Sequence, residues 1–264
     1  MQSSELADLL EKHEETSNAE SARRIGGEIW DRGDALVFCS KSEFGNGLNF
    51  ACRVRSDESH VESLIDEVDA WFARRGITPH YRVSPLTRPA NLAWLLERRG
   101  FARTETETQM VLAGEDTEPP TRAASQITIR QIEPRELERW AQIQSRGFSM
   151  DPSPAVMELA RTSAESKTHS LYLASLDGEP VAAGTLIEWA GAVGIYGVAT
   201  LPEARNHGVS TALVRQMIGD GRARGDVPIC LQAETGTHTQ RWYERLGFRV
   251  VYDRTGWTKE NGNS

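Results

Sequence analysis

Residues 198–213 read Val198-Ala199-Thr200-Leu201-Pro202-Glu203-Ala204-Arg205-Asn206-His207-Gly208-Val209-Ser210-Thr211-Ala212-Leu213. The alternating apolar run that leads into this stretch predicts a strand, and the apolar residues after Gly208 predict a helix. A glycine between a strand and a helix lets the backbone approach a ligand closely, with free amides pointing outward. Because the positive end of the helix dipole lies at the same point, the loop favours binding of a phosphate.

A second motif follows about thirty residues later, where Thr239–Phe248 reads Thr-Gln-Arg-Trp-Tyr-Glu-Arg-Leu-Gly-Phe. Between the two motifs, Pro228–Ala233 predicts a short buried strand. Together they resemble the signature of the GNAT N-acetyltransferase superfamily. The family's phosphate loop reads Gln/Arg-x-x-Gly-x-Gly/Ala, which Arg205-x-x-Gly208-x-Ser210 resembles. Its later helix reads Ala-x-x-Leu-Tyr-x-x-x-Gly-Phe, which the second motif matches at the Tyr, Gly and Phe positions.

The resemblance implies a site for acetyl-CoA, the acyl-donor substrate. Backbone amides of the loop would hold the pyrophosphate, with Asn206 at a usual glycine position, where asparagine tolerates left-handed geometry better than most residues. The strand end would pair with the pantetheine arm, and an amide of Val198 or Thr200 would polarise the thioester carbonyl. The implied cofactor-binding residues are Val198, Ala199, Thr200, Arg205, Asn206, His207, Gly208, Val209, Ser210 and Thr211.

The same resemblance implies catalytic candidates. Tyr243 stands where the family places a tyrosine near the CoA sulfur, and its phenol, with a usual pKa of about 10, can act as general acid for the leaving thiolate. The family's usual base positions are occupied here by Gly194 and Tyr196. Tyr196 would face the active site but is a poor base at neutral pH. Glu188 and Glu234 are nearby candidates, and a water chain or an amine that arrives neutral is equally consistent.

The first half of the chain repeats part of this plan. Glu97–Phe101 matches Glu244–Phe248 at an offset of 147 residues, and the same offset places a predicted helix of the first half on the helix after the phosphate loop. The polar, proline-containing residues 113–126 predict a linker. We therefore expect an α/β (α+β) fold of two tandem GNAT-like domains, each with a mixed, mostly antiparallel sheet flanked by helices. The expected bounds are 1–112, a linker at 113–126, and 127–264 for the acetyl-CoA-binding domain.

The offset also indicates that the first copy is degenerate. Leu96 stands at the Tyr243 position, and Val61 stands at the Gly208 position. Two carboxylates, Glu58 and Glu62, fall within the equivalent loop, where they would repel a pyrophosphate. The first domain is therefore expected to contribute packing or to shape a substrate cleft.

Composition and cysteine spacing argue against several kinds of partner and site. A net charge of −8 argues against nucleic acid as a partner and mildly favours cationic substrates such as amines. No apolar run is long enough for a membrane span, and the acidic start lacks the basic region of a signal peptide. Three cysteines and six histidines show no metal-ligand spacing, so the thiols are expected to stay reduced in a cytoplasm and no metal is expected.

The sequence thus predicts an acetyl-CoA-dependent N-acetyltransferase that acts on a primary amine of a small molecule or peptide. A non-catalytic acyl-CoA-binding sensor is the alternative, because the base position is empty. A homodimer is possible.

Overall fold

The computed structural model describes residues 3–40, 45–116, 127–150 and 153–259. These residues divide into two compact units. Unit 1 takes the described residues up to Gln109, together with Ala233–Gln240 and those from Val250 onward. Unit 2 takes the described residues from Met110 to Gln232, together with Arg241–Arg249. The units therefore do not follow a single cut along the chain, and the domain bounds predicted from sequence stay a prediction.

Unit 1 is built on strands in the order β1-β2-β3-β4-β11-β5. The pair β3/β4 is parallel, whereas β1/β2, β2/β3 and β4/β11 are antiparallel. The strands are β1 (Glu28–Asp31), β2 (Leu36–Cys39), β3 (Phe50–Cys52), β4 (His80–Val83), β5 (Phe101–Leu112) and β11 (Phe248–Lys259). The helices are α1 (Ser3–Arg24), α2 (Gly45–Leu48), α3 (Val61–Ala73) and α4 (Leu92–Arg98).

The two faces of the unit 1 sheet are covered by different helices, as the alternation of side chains along a strand requires. Val37 packs into a core with apolar residues of α3 and α4. Phe38, the next residue, packs instead with Phe50 and with Ala19 and Ala22 of α1. Unit 1 is therefore a sheet between two helical layers.

Unit 2 has the strand order β10-β9-β8-β7-β6, and the end of β5 lies next to β10. Its strands are β6 (Ile127–Gln131), β7 (His169–Leu176), β8 (Glu179–Trp189), β9 (Ala192–Thr200) and β10 (Ile229–Glu234). The helices α5 (Leu137–Gly147) and α7 (Val209–Arg222) pack on β8 and β9, and α6 (Pro154–Ala164) packs on α5. The helix α8 (His238–Arg245) contributes residues to both units. Only β9 and β10 form a parallel pair among the paired strands described for this unit.

The observed elements follow the internal offset of the sequence. Shifting Phe101–Leu112 by 147 residues gives Phe248–Lys259, which are the bounds of β11. The same shift moves α3 and α4 onto α7 and α8 to within two residues at each end. The predicted fold class, a mixed and mostly antiparallel sheet flanked by helices, is confirmed.

The remaining sequence expectations concern smaller features. The amides of Ala113 and Gly114 both donate to Gly247 O, at 3.0 and 2.9 Å, and residues 117–126 of the predicted linker lie outside the described residues. The three cysteines are buried and free. Among the described residues, no helix has the length and apolar character to cross a membrane, and no group of three or more potential ligands could hold a metal ion.

Candidate active site

The strand before the predicted phosphate loop contains a bulge. Ala183 pairs with Ala199 and Thr185 pairs with Tyr196, so the single residue Gly184 of β8 faces two residues of β9, Gly197 and Val198. Gly197 adopts φ +58°, which glycine reaches without the cost that a Cβ would impose. The backbone at Val198 therefore leaves the regular ladder with β8.

The same strand parts from its other neighbour. The parallel register pairs Ile229 with Val193 and Cys230 with Gly194. From Gly194, β9 continues for six more residues to Thr200. A parallel pair that opens in this way has room for an extended ligand that hydrogen-bonds to the strand edge as an added strand would.

The loop between β9 and α7 has the geometry of an anion site. Asn206 adopts φ +64° and Gly208 adopts φ +77°, so two of three consecutive residues are left-handed. Gly208 is the N-cap of α7 and offers no side chain to the first turn of the helix. The first amides of a helix have no partner within it, and they lie at the positive end of its dipole. Arg205, Asn206 and His207 are exposed, so a ligand can reach the loop.

Two side-chain contacts hold this loop in place. Arg205 donates from Nε to Thr200 O at 3.3 Å and from an Nη to Gly147 O at 2.9 Å. The hydroxyls of Thr200 and Ser210 lie 2.7 Å apart and join the end of β9 to the first turn of α7. Arg205, predicted from sequence to bind the cofactor, therefore also ties the loop to the end of α5.

The helix of the second motif places Tyr243 in a buried position. The Tyr243 ring lies 4.6 Å from that of Trp242 and 5.9 Å from that of Phe248, between ring centroids. Burial raises the pKa of the Tyr243 phenol above its usual value, so the hydroxyl stays protonated at neutral pH. Trp242 Nε1 donates to Thr211 Oγ1 at 3.2 Å, which ties α8 to the first turn of α7. The structure thus brings the two sequence motifs together.

The other catalytic candidates lie at different points along the ladder. Tyr196 is half-buried on β9, immediately before the bulge. Glu188 pairs in register with Val193, at the far end of the β8/β9 ladder. Val193 and Val198 are five positions apart, roughly 17 Å along a strand. The Glu188 carboxylate is exposed and forms an ion pair with Arg224 at 2.8 Å. The structure therefore does not bring Glu188 to the bulge.

Glu234 is an exposed residue at the end of β10, and it belongs to unit 1.

Helix α5 adds residues to which sequence reasoning gave no role at the site. Gln144 Nε2 donates to Gly197 O at 2.6 Å, and Trp140 Nε1 donates to Gly184 O at 3.4 Å. A Cβ on Gly147 would stand 2.8 Å from the Cβ of Ala199, so this glycine permits α5 to end directly against β9. The available signal was a glutamine on an otherwise apolar helix face, one turn after a tryptophan.

The equivalent loop of unit 1, residues 57–63, is built differently. Asp57 Oδ1 accepts hydrogen bonds from the backbone amides of Ser59 and His60, both at 3.0 Å. It also lies 2.8 Å from His60 Nδ1 and accepts from Ser59 Oγ at 2.7 Å. These bonds lower the pKa of Asp57 to about 2, with the side chains of Ser59 and His60 as the main causes. The amides before α3 therefore have an internal anion.

Residues 135–248 match the family model described as "Acetyltransferase (GNAT) family". This segment is a GNAT acetyltransferase domain. Its bounds include the bulge, the left-handed loop and the buried Tyr243. No curated protein matches the chain in sequence.

Solved structures with the same fold extend over nearly the whole chain. A GCN5-related N-acetyltransferase from Kribbella flavida is 18% identical, with a TM-score of 0.67, and the match covers 94% of this chain and 96% of that one. A GCN5-related N-acetyltransferase from Sphaerobacter thermophilus is 20% identical, with a TM-score of 0.63, and the match covers 89% of this chain and 76% of that one. A functionally unknown protein from Staphylococcus epidermidis is 13% identical, with a TM-score of 0.65, and the match covers 90% of this chain and 95% of that one.

These likenesses concern the fold of both halves, because each match is longer than either half. They agree with two GNAT-like halves, of which the second contains the segment matched by the family model. The predictions of a GNAT family domain and of an acyltransferase are confirmed at the level of the family.

Proposed function

We propose that the GNAT domain transfers an acetyl group directly from acetyl-CoA to a primary amine of a small molecule or peptide. The observation that carries the proposal is the opening between β9 and β10, which ends at a left-handed loop and the first turn of α7. That arrangement offers an edge for an extended pantetheine arm and, next to it, amides for a pyrophosphate.

The site residues divide the work between binding and chemistry. Amides from Asn206 to Thr211 would hold the pyrophosphate, and those of Val198 and Thr200 would hold the pantetheine arm and the thioester carbonyl. Holding amine and thioester in line contributes about 7–11 kcal/mol in well-oriented reactions. An amide directed at the developing oxyanion adds to this.

Tyr243 would assist the departure of the thiolate. Its pKa is raised by burial, whereas a thiol has a pKa of about 8.5, so complete proton transfer to the thiolate is uphill. The phenol would therefore act mainly by donating a strong hydrogen bond to the sulfur as charge develops. Donating this hydrogen bond requires a group that stays protonated at neutral pH, as a phenol of raised pKa does.

We assign no side chain as the general base. Either water takes the proton from the amine, or the amine binds in its neutral form. Glu188 forms an ion pair with Arg224 at the far end of the ladder, and a phenol such as that of Tyr196 is a poor base. Because no side chain is assigned as the base, the proposed acceptor is an amine that is partly neutral at the working pH. The net charge of −8 favours approach of its cationic fraction.

A sensor that binds acyl-CoA without turnover is the second candidate, favoured by the absence of a carboxylate or histidine at the two usual base positions, Gly194 and Tyr196. Calorimetry of the full chain with acetyl-CoA, followed by thiol release with a panel of amino sugars, polyamines and peptides, separates the two. Binding together with amine-dependent thiol release supports the transferase. Binding without thiol release for any amine supports the sensor, and no binding overturns both.

A further inference from the structure

The bulge in β9 interrupts the regular ladder with β8, because Gly184 faces both Gly197 and Val198. Two carbonyls at the bulge, those of Gly184 and Gly197, accept hydrogen bonds from side chains of one helix. Gln144 donates to Gly197 O at 2.6 Å, and Trp140, one turn earlier, donates to Gly184 O at 3.4 Å. The i,i+4 spacing places both donors on the same face of α5.

Gln144 is placed with little freedom. It is 7% exposed, and its amide lies against the backbone of Gly197, where an added Cβ would stand 3.2 Å from Oε1 and 3.4 Å from Nε2. A carbonyl that loses its donor away from water is left unsatisfied, so this hydrogen bond stabilises the bulged conformation of β9. A Cβ added to Gly147, at the end of the same helix, would stand 2.8 Å from the Cβ of Ala199, so α5 and β9 approach each other closely here.

We propose that Gln144 is a positioning residue for acetyl transfer: by holding Gly197 O, it fixes the bulge that aims the Val198 amide at the thioester carbonyl. This inference rests on the proposed function for the role of Val198. Gln144 itself touches neither substrate nor reacting atoms. Its effect passes through the peptide group between Gly197 and Val198, which contains both the carbonyl that accepts from Gln144 and the amide proposed as oxyanion donor.

The test uses three variants of the full chain. Gln144→Met keeps the length of the side chain and removes the donor, and Gln144→Glu keeps the shape but opposes a carboxylate to Gly197 O. Gln142→Met is the matched control, because Gln142 is exposed on the same helix and its hydrogen bond, to Glu138 Oε1, is 3.4 Å long. Folding of each variant is checked by its melting temperature.

Two readouts are expected to move together in the Gln144 variants. Hydrogen exchange of the peptide that contains residues 195–200 rises by about tenfold or more, since the bulge opens more often. With the most active amine of the panel, kcat falls roughly 10- to 100-fold, because a displaced donor misses the developing charge. The Kd of acetyl-CoA from calorimetry changes by less than about threefold, since the phosphate loop is intact. Gln142→Met leaves all three unchanged.

Several results would overturn the inference. Unchanged exchange at residues 195–200 would show that Gln144 does not hold the bulge. A lower melting temperature with unchanged kcat would make it a packing residue, and a parallel loss of acetyl-CoA affinity would assign it to binding. If the wild-type chain transfers no acetyl group, the proposed function fails and the catalytic part of the inference fails with it. The exchange comparison still decides whether Gln144 fixes the bulge.

Discussion

The loops before α3 and α7 occupy equivalent positions in the two halves, yet their backbone amides have different surroundings. Before α3, the Asp57 carboxylate accepts from two backbone amides at 3.0 Å, so the chain supplies its own negative charge. Before α7, the aligned residue is Ala204, which has no acceptor to offer, and the N-cap is left-handed Gly208. A helix start is thus an anion site only where the chain leaves its amides to an external ligand.

The largest expected effect comes from filling the loop before α7. Gly208→Val should reduce acetyl-CoA affinity by more than about 10²-fold, since the side chain enters the phosphate space and a β-branched residue resists positive φ. Calorimetry measures the loss. Gly178→Val is the matched control, because Gly178 also has positive φ, +89°, but lies in the turn between β7 and β8. Equal affinity in both variants would remove the phosphate loop from the site.

The second effect concerns the difference between α8 and α4, its equivalent in the first half, where Leu96 stands at the Tyr243 position. Tyr243→Phe should lower kcat by about 10²-fold with little change in acetyl-CoA affinity, because only the hydrogen bond to the leaving sulfur is lost. Steady-state kinetics with acyl donors of different thiol acidity checks this. The loss should shrink for more acidic thiols, and wild-type turnover in the variant would make Tyr243 a packing residue.

The third prediction transfers the internal anion from one loop to the other. Ala204→Asp should weaken acetyl-CoA binding by roughly tenfold, because a carboxylate near the pyrophosphate repels it. Ala204 is only 4% exposed, so any residue at this site carries a packing cost. Ala204→Asn is the control, because asparagine has the size of aspartate without its charge. The difference between the acetyl-CoA dissociation constants of the Asp and Asn variants reports electrostatics alone. Equal constants would mean that the loop does not face a phosphate.

The smallest effect concerns Asp57 itself. Its pKa lies at about 2 in the folded chain against a usual 3.8, so its contribution to stability is present above about pH 4 and is lost as the pH falls toward 2. Asp57→Ala should lower the melting temperature at pH 6 by about 1–2 °C and abolish this part of the acid sensitivity, since exposed pairs contribute little. Glu58→Ala, an exposed neighbour, is the control. Acetyl-CoA affinity should not change, because Val61 still occupies the glycine position.

Local patterns predicted much of this molecule. The strand, turn and helix around Gly208 and the helix with Tyr243 are encoded within short segments, and the structure places Gly208 and Tyr243 in unit 2. The role of Gln144 was not predictable in the same way, because its partner lies 53 residues away. Glu188 shows the same limit, since nearness in sequence to the loop did not place it near the bulge in space.

The origin of the last strand has a consequence for the order of events during synthesis. In β11, Thr255 pairs with Val83 of β4, so the fifth strand of unit 1 in spatial order is the last described strand in sequence order. When β4 leaves the ribosome, its neighbour does not yet exist, and the edge of β4 stays open while more than 150 residues are translated. Unit 1 is therefore completed only after the strands of unit 2 have been synthesised, and until then its nascent form exposes a strand edge.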